Sequence, residues 1–182
     1  LPGVEGVRAV DDDIGAGGIG SPVVLALAAA GIGTLRVIDD DVVEASNLQR
    51  QVMHRLGDVG APKTASAVRA AADLSPATRV EEVRERLTRA NAATLLAGAD
   101  VVVDGTDAFD SREAVAAGCE ALGVPLVWGV IQGYDAQATV FWSAPPEPAL
   151  RELAESRQHG VARGALDLRR VERGHGVDER RQ

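Results

Sequence analysis

The sequence predicts an α/β fold with a mainly parallel β-sheet and helices on both of its faces. Between residues 15 and 129, short runs of β-branched residues alternate with Ala- and Leu-rich stretches of helical length, the pattern of repeated βαβ units. A glycine-rich turn, Gly15 to Gly20, precedes the first of these helical stretches. Its G-x-G-x-x-G spacing is typical of Rossmann-like domains, in which the turn leads from the first strand into a helix at a phosphate site.

Length and composition predict a single domain. The chain has 182 residues, of which 46% are hydrophobic, enough for one α/β domain with a substantial core and few for two. We therefore predict a domain over residues 1–144 and an arginine-rich tail over residues 145–182. The stretch 151–182 contains eight arginines, two of the three histidines and no aromatic residue, so we expect the tail to be disordered or loosely attached.

Charge and cysteine content exclude other classes of protein. A net charge of −8 argues against a nucleic-acid surface, because phosphate backbones require a positive field. No apolar run approaches the roughly 20 residues that span a bilayer, so no membrane association is expected. The single cysteine, Cys119, forms no internal disulfide and no Cys-x-x-Cys zinc site. The expected location is the cytoplasm.

The first half of the chain is predicted to contain two strands and three helices. The first strand is expected over residues 7–10, because burying Asp11, Asp12 and Asp13 in a central strand would be costly. A helix over residues 21–30 ends at Gly31, and a strand over residues 35–38 follows it. A second helix is expected to start near Asn47, and a third runs over residues 62–74, with proline in its first turn.

The second half of the chain continues the alternation of predicted strands and helices. Strands are predicted over residues 80–83, 101–103 and 126–128, and the continuous valine run of the second indicates burial on both faces. Helices are predicted over residues 91–97 and 112–122. A last strand over residues 137–142 could be antiparallel.

Asp39 is the candidate ribose-binding residue. It ends the second predicted strand and follows Gly20 by nineteen residues, close to the separation at which an acidic residue accepts both ribose hydroxyls. The alternative interpretation is an ordinary loop carboxylate.

Basic and amide side chains follow Asp39 and are candidate phosphate ligands. Asn47, Arg50 and Gln51 lie in the next segment, and an arginine there can neutralise phosphate oxygens. Lys63 is the only lysine among 19 basic residues. A compact ammonium group retained in an arginine-rich chain is expected of a phosphate contact, although a surface lysine is the alternative.

Carboxylates also follow the buried strand over residues 101–103. Asp104 and Asp107 would lie at the carboxyl edge of the sheet, where α/β proteins bind ligands and where Mg²⁺ could be held. Asp104 could instead only cap a turn. His54 is the one histidine of the predicted domain, and we interpret it as a cap or surface group.

Five segments together resemble a known family. They are GAGGIGSP (15–22), VIDDDVVEASNLQRQVMH (37–54), APKTASA (61–67), VVVDGTDAFDSR (101–112) and GVPLVWGVI (123–131). In order and spacing, over about residues 14–142, the chain is similar to the ThiF/MoeB/HesA adenylyltransferases, which activate ubiquitin-like sulfur carriers and are related to ubiquitin-activating enzymes.

The resemblance implies a site and a reaction. It implies attack by a carrier's C-terminal glycine carboxylate on the α-phosphorus of ATP, with release of pyrophosphate, in a cytoplasmic homodimer that acts in molybdenum-cofactor or thiamine biosynthesis. It implies that Asp39 holds the ribose and that Asp107 carries Mg²⁺. Arg50, Lys63 and Asp107 would be catalytic. The implied ATP-binding residues are Gly15, Gly17, Gly18, Gly20, Asp39, Asn47, Arg50, Gln51 and Lys63.

The chain also departs from the family pattern. After Pro145 and Pro146 the resemblance ends, and the Cys-x-x-Cys pairs of many family members are missing. The sequence therefore indicates truncation after the adenylation region, with no zinc site. Two alternatives stay open: a catalytically incomplete nucleotide-binding fragment, and an NAD-dependent oxidoreductase, which would lack an evident hydride-transfer partner.

Overall fold

The computed structural model describes the backbone of residues 6–10 and all atoms of residues 16–142. Within these ranges, six strands form one sheet in the order β3-β2-β1-β4-β5-β6. The strands β1 to β5 pair in parallel, and β6 pairs antiparallel with β5. The α/β, mainly parallel fold is confirmed, and the strand order is that of Rossmann-type domains.

The first half of the domain builds one side of the sheet. The elements in chain order are β1 (Gly6–Val10), α1 (Gly20–Ala29), β2 (Thr34–Ile38), α2 (Lys63–Leu74) and β3 (Arg79–Val83). Two short 3₁₀ helices, Ala45–Asn47 and Leu56–Asp58, lie between β2 and α2. The helix α1 ends before Gly31, whose φ of 73° is accessible to glycine at little cost.

The second half builds the other side. It contains α3 (Ala92–Leu96), β4 (Val101–Asp104), α4 (Phe109–Leu122), β5 (Leu126–Gln132) and β6 (Asp135–Phe141). Gly123 ends α4 in the left-handed conformation, with φ of 67°. The hairpin between β5 and β6 has Gly133 at φ of 63° in its turn.

Helices cover both faces of the sheet, as predicted. In β4, Val102 packs with residues of α3 and α4, whereas Val101 and Val103 pack against the cluster that α1 and α2 form. Because successive side chains of a strand point to opposite faces, the two helix pairs lie on opposite sides. The valine run therefore lies between two helical layers, with Val102 buried and Val101 and Val103 half-buried, as expected of a central parallel strand.

One predicted element is wrong in type, and others differ at their ends. The helix expected near Asn47 is a single 3₁₀ turn, because the Asn47 side chain accepts a hydrogen bond from the Glu44 backbone (3.0 Å) and caps the turn. Pro62 precedes α2 as its N-cap residue instead of lying in its first turn. The helix α4 begins three residues earlier than predicted, at Phe109, and β5 extends to Gln132.

The topology places several strand ends at one edge. Between β1 and β4 the direction of strand addition reverses, and ligands of open α/β sheets bind at such a switch point, beyond the carboxyl ends of the strands. Asp39 follows β2 and Asp104 ends β4, so both lie at this edge on either side of β1. No helix of the described residues is long and apolar enough to cross a membrane.

Candidate functional site

A tight turn precedes α1 at the carboxyl edge of the sheet. Residues 16–19 form the turn, and the Gly17 carbonyl accepts a hydrogen bond from the Ser21 amide (2.8 Å). Gly17 and Gly20 are buried, and Gly18 is half-buried. Gly15 and Asp11 to Asp13 lie outside the described residues, so their predicted roles stay predictions.

The turn is tied directly to Asp39. The Asp39 carboxylate is fully buried; its Oδ2 accepts a hydrogen bond from the Ala16 amide (3.2 Å) and its Oδ1 from the Asp41 amide (2.8 Å). Burial raises the pKa of Asp39 to about 6, and the positive charge of Lys63 and these two hydrogen bonds limit the rise. Asp39 is therefore a buried residue that connects the glycine turn to the end of β2, and not an ordinary loop carboxylate.

Lys63 is buried and paired with a carboxylate. It begins α2, its side chain is 1% exposed, and its Nζ lies 2.8 Å from Asp41 Oδ2. The Lys63 amide also donates to the Asp41 carbonyl (3.0 Å), which joins the end of β2 to the start of α2. The alternative of a surface lysine is therefore wrong, because this ammonium group is held inside the domain.

A polar hollow of about 300 Å³ opens beside Lys63 and Asp41. Its lining consists of Asp41, Val42, Glu44, Ser46, Asn47, Arg50 and Lys63. The structure thus brings three predicted phosphate ligands together. Arg50 also reaches the turn, because a Cβ placed on Gly18 would lie 3.6 Å from Arg50 Cδ.

Gln51 is buried but does not line this hollow. Its side chain is 1% exposed, and neither amide atom has a hydrogen-bond partner among the described residues. A buried amide with unmet hydrogen bonds is costly. Such a group is expected where a bound molecule or a water completes the site.

The other side of the edge carries Asp104 and Asp107. Asp104 is buried and its Oδ1 accepts a hydrogen bond from the Thr106 amide (2.8 Å), so it does cap a turn, and burial raises its pKa to about 6. Arg112 donates to the Thr106 carbonyl (2.7 Å) and fixes the same loop. Asp107 is exposed and does not line the hollow beside Lys63.

A metal-binding cage is not preformed in the part of the chain that the structure describes. No group of three His, Cys, Asp or Glu side chains there could hold an ion. Mg²⁺ nevertheless needs only one or two carboxylates when substrate phosphates and waters supply its other ligands. The exposed carboxylate of Asp107 fits that kind of ligand.

Four residues of this edge escaped sequence reasoning: Asp41, His54, Asp58 and Ser66. The interpretation of His54 as a cap or surface group is wrong, because its side chain is 6% exposed and both ring nitrogens have partners. Its Nε2 lies 2.7 Å from the Ala16 carbonyl, in the glycine turn. In the sequence, His54 ends one of the family-like segments, VIDDDVVEASNLQRQVMH (37–54). The spacing of that segment does not show which atoms the imidazole contacts.

A second hollow, of about 480 Å³, contains none of the predicted site residues. It lies beside the start of α4 and is lined by Arg86, Leu87, Thr88, Arg89, Ala108, Asp110, Ser111 and Glu113. The predicted site residues therefore lie at the smaller, more polar hollow beside Lys63, which we take as the candidate site.

A family model described as the ThiF family matches residues 14–169. The chain belongs to the ThiF family. The match extends past Pro145 and Pro146 to residue 169, so the expectation that the resemblance ends after these prolines is wrong. The domain boundary at residue 144 stays a prediction.

Two curated relatives of this ThiF-family chain are named for adenylation or activation. The SAMP-activating enzyme E1 of Haloferax volcanii is 46% identical over 77% of this chain and 51% of its own length. A sulfur carrier protein adenylyltransferase of Thermus thermophilus is 45% identical over 70% of this chain and 47% of its own length. The chain therefore spans about half the length of the curated relatives it matches.

One solved structure is similar to this chain in both fold and sequence. It is the tRNA N6-threonylcarbamoyladenosine dehydratase TcdA of E. coli in complex with ATP, with a TM-score of 0.63 and 31% identity. The similarity covers 68% of this chain and 50% of TcdA. The ThiF-family domain thus has the architecture of a protein whose structure contains ATP.

Proposed function

We propose that this ThiF-family domain binds ATP and adenylates the C-terminal glycine of a ubiquitin-like sulfur-carrier protein. One observation carries the proposal: the buried ammonium of Lys63 and the guanidinium of Arg50 line one polar hollow beside the glycine turn. Positive groups next to a turn that begins a helix form a site for phosphates. The ATP complex of TcdA and the names of the curated relatives support this assignment.

Each side chain has a proposed part in binding. Asp39 accepts the ribose hydroxyls, and Gly15, Gly17, Gly18 and Gly20 let the backbone approach the phosphates. Asn47 and Gln51 complete the phosphate site with their amides.

The proposed reaction is the transfer of an adenylyl group from ATP to the carrier, which forms an acyl-adenylate. A carboxylate oxygen of the carrier's terminal glycine attacks the α-phosphorus of ATP, the bond to the β-phosphate breaks, and pyrophosphate leaves with its electron pair. Arg50 and Lys63 would stabilise the negative charge that gathers on the phosphates, which is catalysis by electrostatics and positioning. Asp107 would hold Mg²⁺ at the phosphates, where the ion supplies further positive charge.

The proposed partner is a carrier with a Gly-Gly C-terminus, of the molybdopterin-synthase or thiamine type. The relative named a sulfur carrier protein adenylyltransferase supports the carrier class. We propose a homodimer located in the cytoplasm.

A second candidate is a nucleotide-binding fragment that does not complete the reaction. It is favoured by the ion pair between Lys63 and Asp41, which a phosphate would have to loosen. The nicotinamide-dependent oxidoreductase has no supporting observation in the structure.

ATP–pyrophosphate exchange in the presence of a Gly-Gly-ended carrier tests the proposal. We expect exchange that requires the carrier and falls at least a hundredfold in Lys63→Ala and Asp107→Ala, the size of effect seen when a group that stabilises transition-state charge is removed. Asp73→Ala, which removes an exposed carboxylate on α2, is the matched control and should exchange like the wild type. Exchange that survives both site substitutions would show that the assignment is wrong, and ATP binding without exchange would favour the fragment.

A further inference from the structure

Three side chains hold Ala16 in the glycine turn, and two of them, Ser21 and His54, bind the carbonyl of the peptide that joins Ala16 to Gly17. The Ala16 carbonyl accepts hydrogen bonds from Ser21 Oγ (2.9 Å) and from His54 Nε2 (2.7 Å). The Ala16 amide donates to Asp39 (3.2 Å). No other residue of the described glycine turn has so many side-chain contacts.

The orientation of the peptide between Ala16 and Gly17 determines the direction of the Gly17 N–H. In a trans peptide the C=O and N–H bonds point in opposite directions. Because His54 and Ser21 draw the Ala16 carbonyl to one side, the Gly17 N–H is directed to the other, away from the buried imidazole. A backbone N–H fixed at such a turn is a donor for an anionic phosphate oxygen.

The hydrogen-bond pattern determines the tautomer of His54. A carbonyl oxygen only accepts, so Nε2 must carry a proton. On the other side of the ring, Nδ1 lies 2.9 Å from Ser66 Oγ, and Ser66 Oγ lies 2.9 Å from Asp58 Oδ2. Ser66 has one hydroxyl proton, so it donates either to a neutral His54 or to Asp58, but not fully to both.

Burial favours the neutral form of the His54 ring. Burial lowers the pKa of His54, and the positive charges of Lys63 and Arg69 act in the same direction. The hydrogen bond to Ala16 and the negative charge of Asp58 oppose them. Asp58 also accepts hydrogen bonds from the Arg55 amide (2.9 Å) and the Arg69 guanidinium, so it keeps two donors when Ser66 donates to His54.

We propose that His54 is a positioning residue: held as the Nε2–H tautomer by the Ser66 hydroxyl, it fixes the Ala16 carbonyl and so aims the Gly17 N–H at a phosphate group. The part that concerns the phosphate rests on the proposed ATP-binding function. The part that concerns the tautomer does not, since it needs no nucleotide.

Nitrogen-15 NMR of the imidazole rings in the full chain tests the tautomer. At pH 7.5 we expect the His54 signals, assigned by their loss in His54→Gln, to show a proton on Nε2 and none on Nδ1. Ser66→Ala removes the donor to Nδ1 and should shift the ring toward a mixture of tautomers. Ser75→Ala, at the other end of α2, is the control and should leave the ring unchanged. A wild-type ring protonated on Nδ1, or a Ser66→Ala ring identical to the wild type, would overturn the proposal.

Affinity for MgATP, measured by calorimetry, tests the effect on the turn. His54→Phe keeps a flat ring without the donor and should weaken binding about tenfold, the value of one hydrogen bond. His54→Gln offers an amide N–H near the position of Nε2 and should stay within about threefold of the wild type. If the two variants bind equally, His54 does not position the turn. If the wild type binds no MgATP, the proposed function fails, while the NMR result still decides the tautomer.

Discussion

At the scale of single residues, Asp39 connects the glycine turn to the carboxyl edge of the sheet. Each of its carboxylate oxygens accepts one backbone N–H, from Ala16 and from Asp41. A carboxylate oxygen can accept about two hydrogen bonds, so each keeps capacity for a ribose hydroxyl. Under the proposed function, this carboxylate would hold the turn in place and accept a ribose hydroxyl at the same time.

The pKa of Asp39 predicts a pH dependence of ribose binding. Because burial raises that pKa to about 6, protonation below pH 6 replaces an acceptor with a donor. The affinity for adenosine, which has a ribose and no phosphate, should fall about fivefold between pH 6 and pH 5. Calorimetric titration with adenosine measures this. Asp39→Asn should bind weakly at every pH, and an affinity of the wild type that is flat across this range would contradict the prediction.

The site residues differ in how far the sequence predicts them. Lys63 is the only lysine of the chain, and the structure buries it in the hollow that Asn47 and Arg50 also line. Its partner Asp41 was not predicted, because three consecutive aspartates offer no way to tell which one faces α2. His54 was misassigned because its partners, Ala16 and Ser66, are 38 and 12 residues away.

At the scale of elements, α3 and α4 approach each other closely at Gly118. A Cβ at that position would lie 2.9 Å from Leu96 Cδ1 and 3.0 Å from Ala92 Cβ. Leu96 is fully buried, so it has little space into which to move. Glycine is therefore required there by packing and not by backbone conformation, since the residue is in a helix.

We predict that Gly118→Ala destabilises the protein. Overpacking costs about 1–3 kcal/mol, and the gain in helix propensity returns about 1 kcal/mol, so the net loss should reach up to about 2 kcal/mol. Urea denaturation of both proteins measures the difference. Gly57→Ala is the control, because nothing lies within 4 Å of its Cβ position. Equal stability of Gly118→Ala and the wild type would show that the two helices can separate at low cost.

The helices and strands were largely predictable because their signals are local. The order of strands and helices follows from the alternation of β-branched and Ala-rich runs, and β2, β4 and β5 contain the predicted residues. The turn at Asn47 was not predictable as a 3₁₀ helix, since its type depends on one hydrogen bond between a side chain and Glu44. The start of α4 was placed late because Phe109 and Asp110 resemble loop residues in an isolated sequence.

At the scale of the whole domain, the point between β1 and β4 where the direction of strand addition reverses separates two sets of elements. The strands β2 and β3 with α1 and α2 lie on one side of β1, and β4 to β6 continue on the other. Asp39 belongs to the first set and Asp107 to the second. A nucleotide with its Mg²⁺ that contacts both would link the two sets, so binding should stabilise the domain as a unit.

We therefore predict that MgATP raises the thermal unfolding midpoint of the chain. At a ligand concentration one hundred times Kd, binding adds about 2.7 kcal/mol to the free energy of unfolding. Differential scanning fluorimetry with increasing MgATP measures the shift. The same concentrations of NAD, and MgATP with Lys63→Ala, should give little shift. A larger shift with NAD than with MgATP would instead support the oxidoreductase.

The burial of the only lysine has a practical consequence. A protease that cuts solely after lysine has one cleavage site in this chain, at the first residue of α2, and that side chain is 1% exposed. Proteases act on chain segments that have opened. Digestion to two fragments thus reports how often this part of the domain unfolds, without a label, a dye or an engineered site.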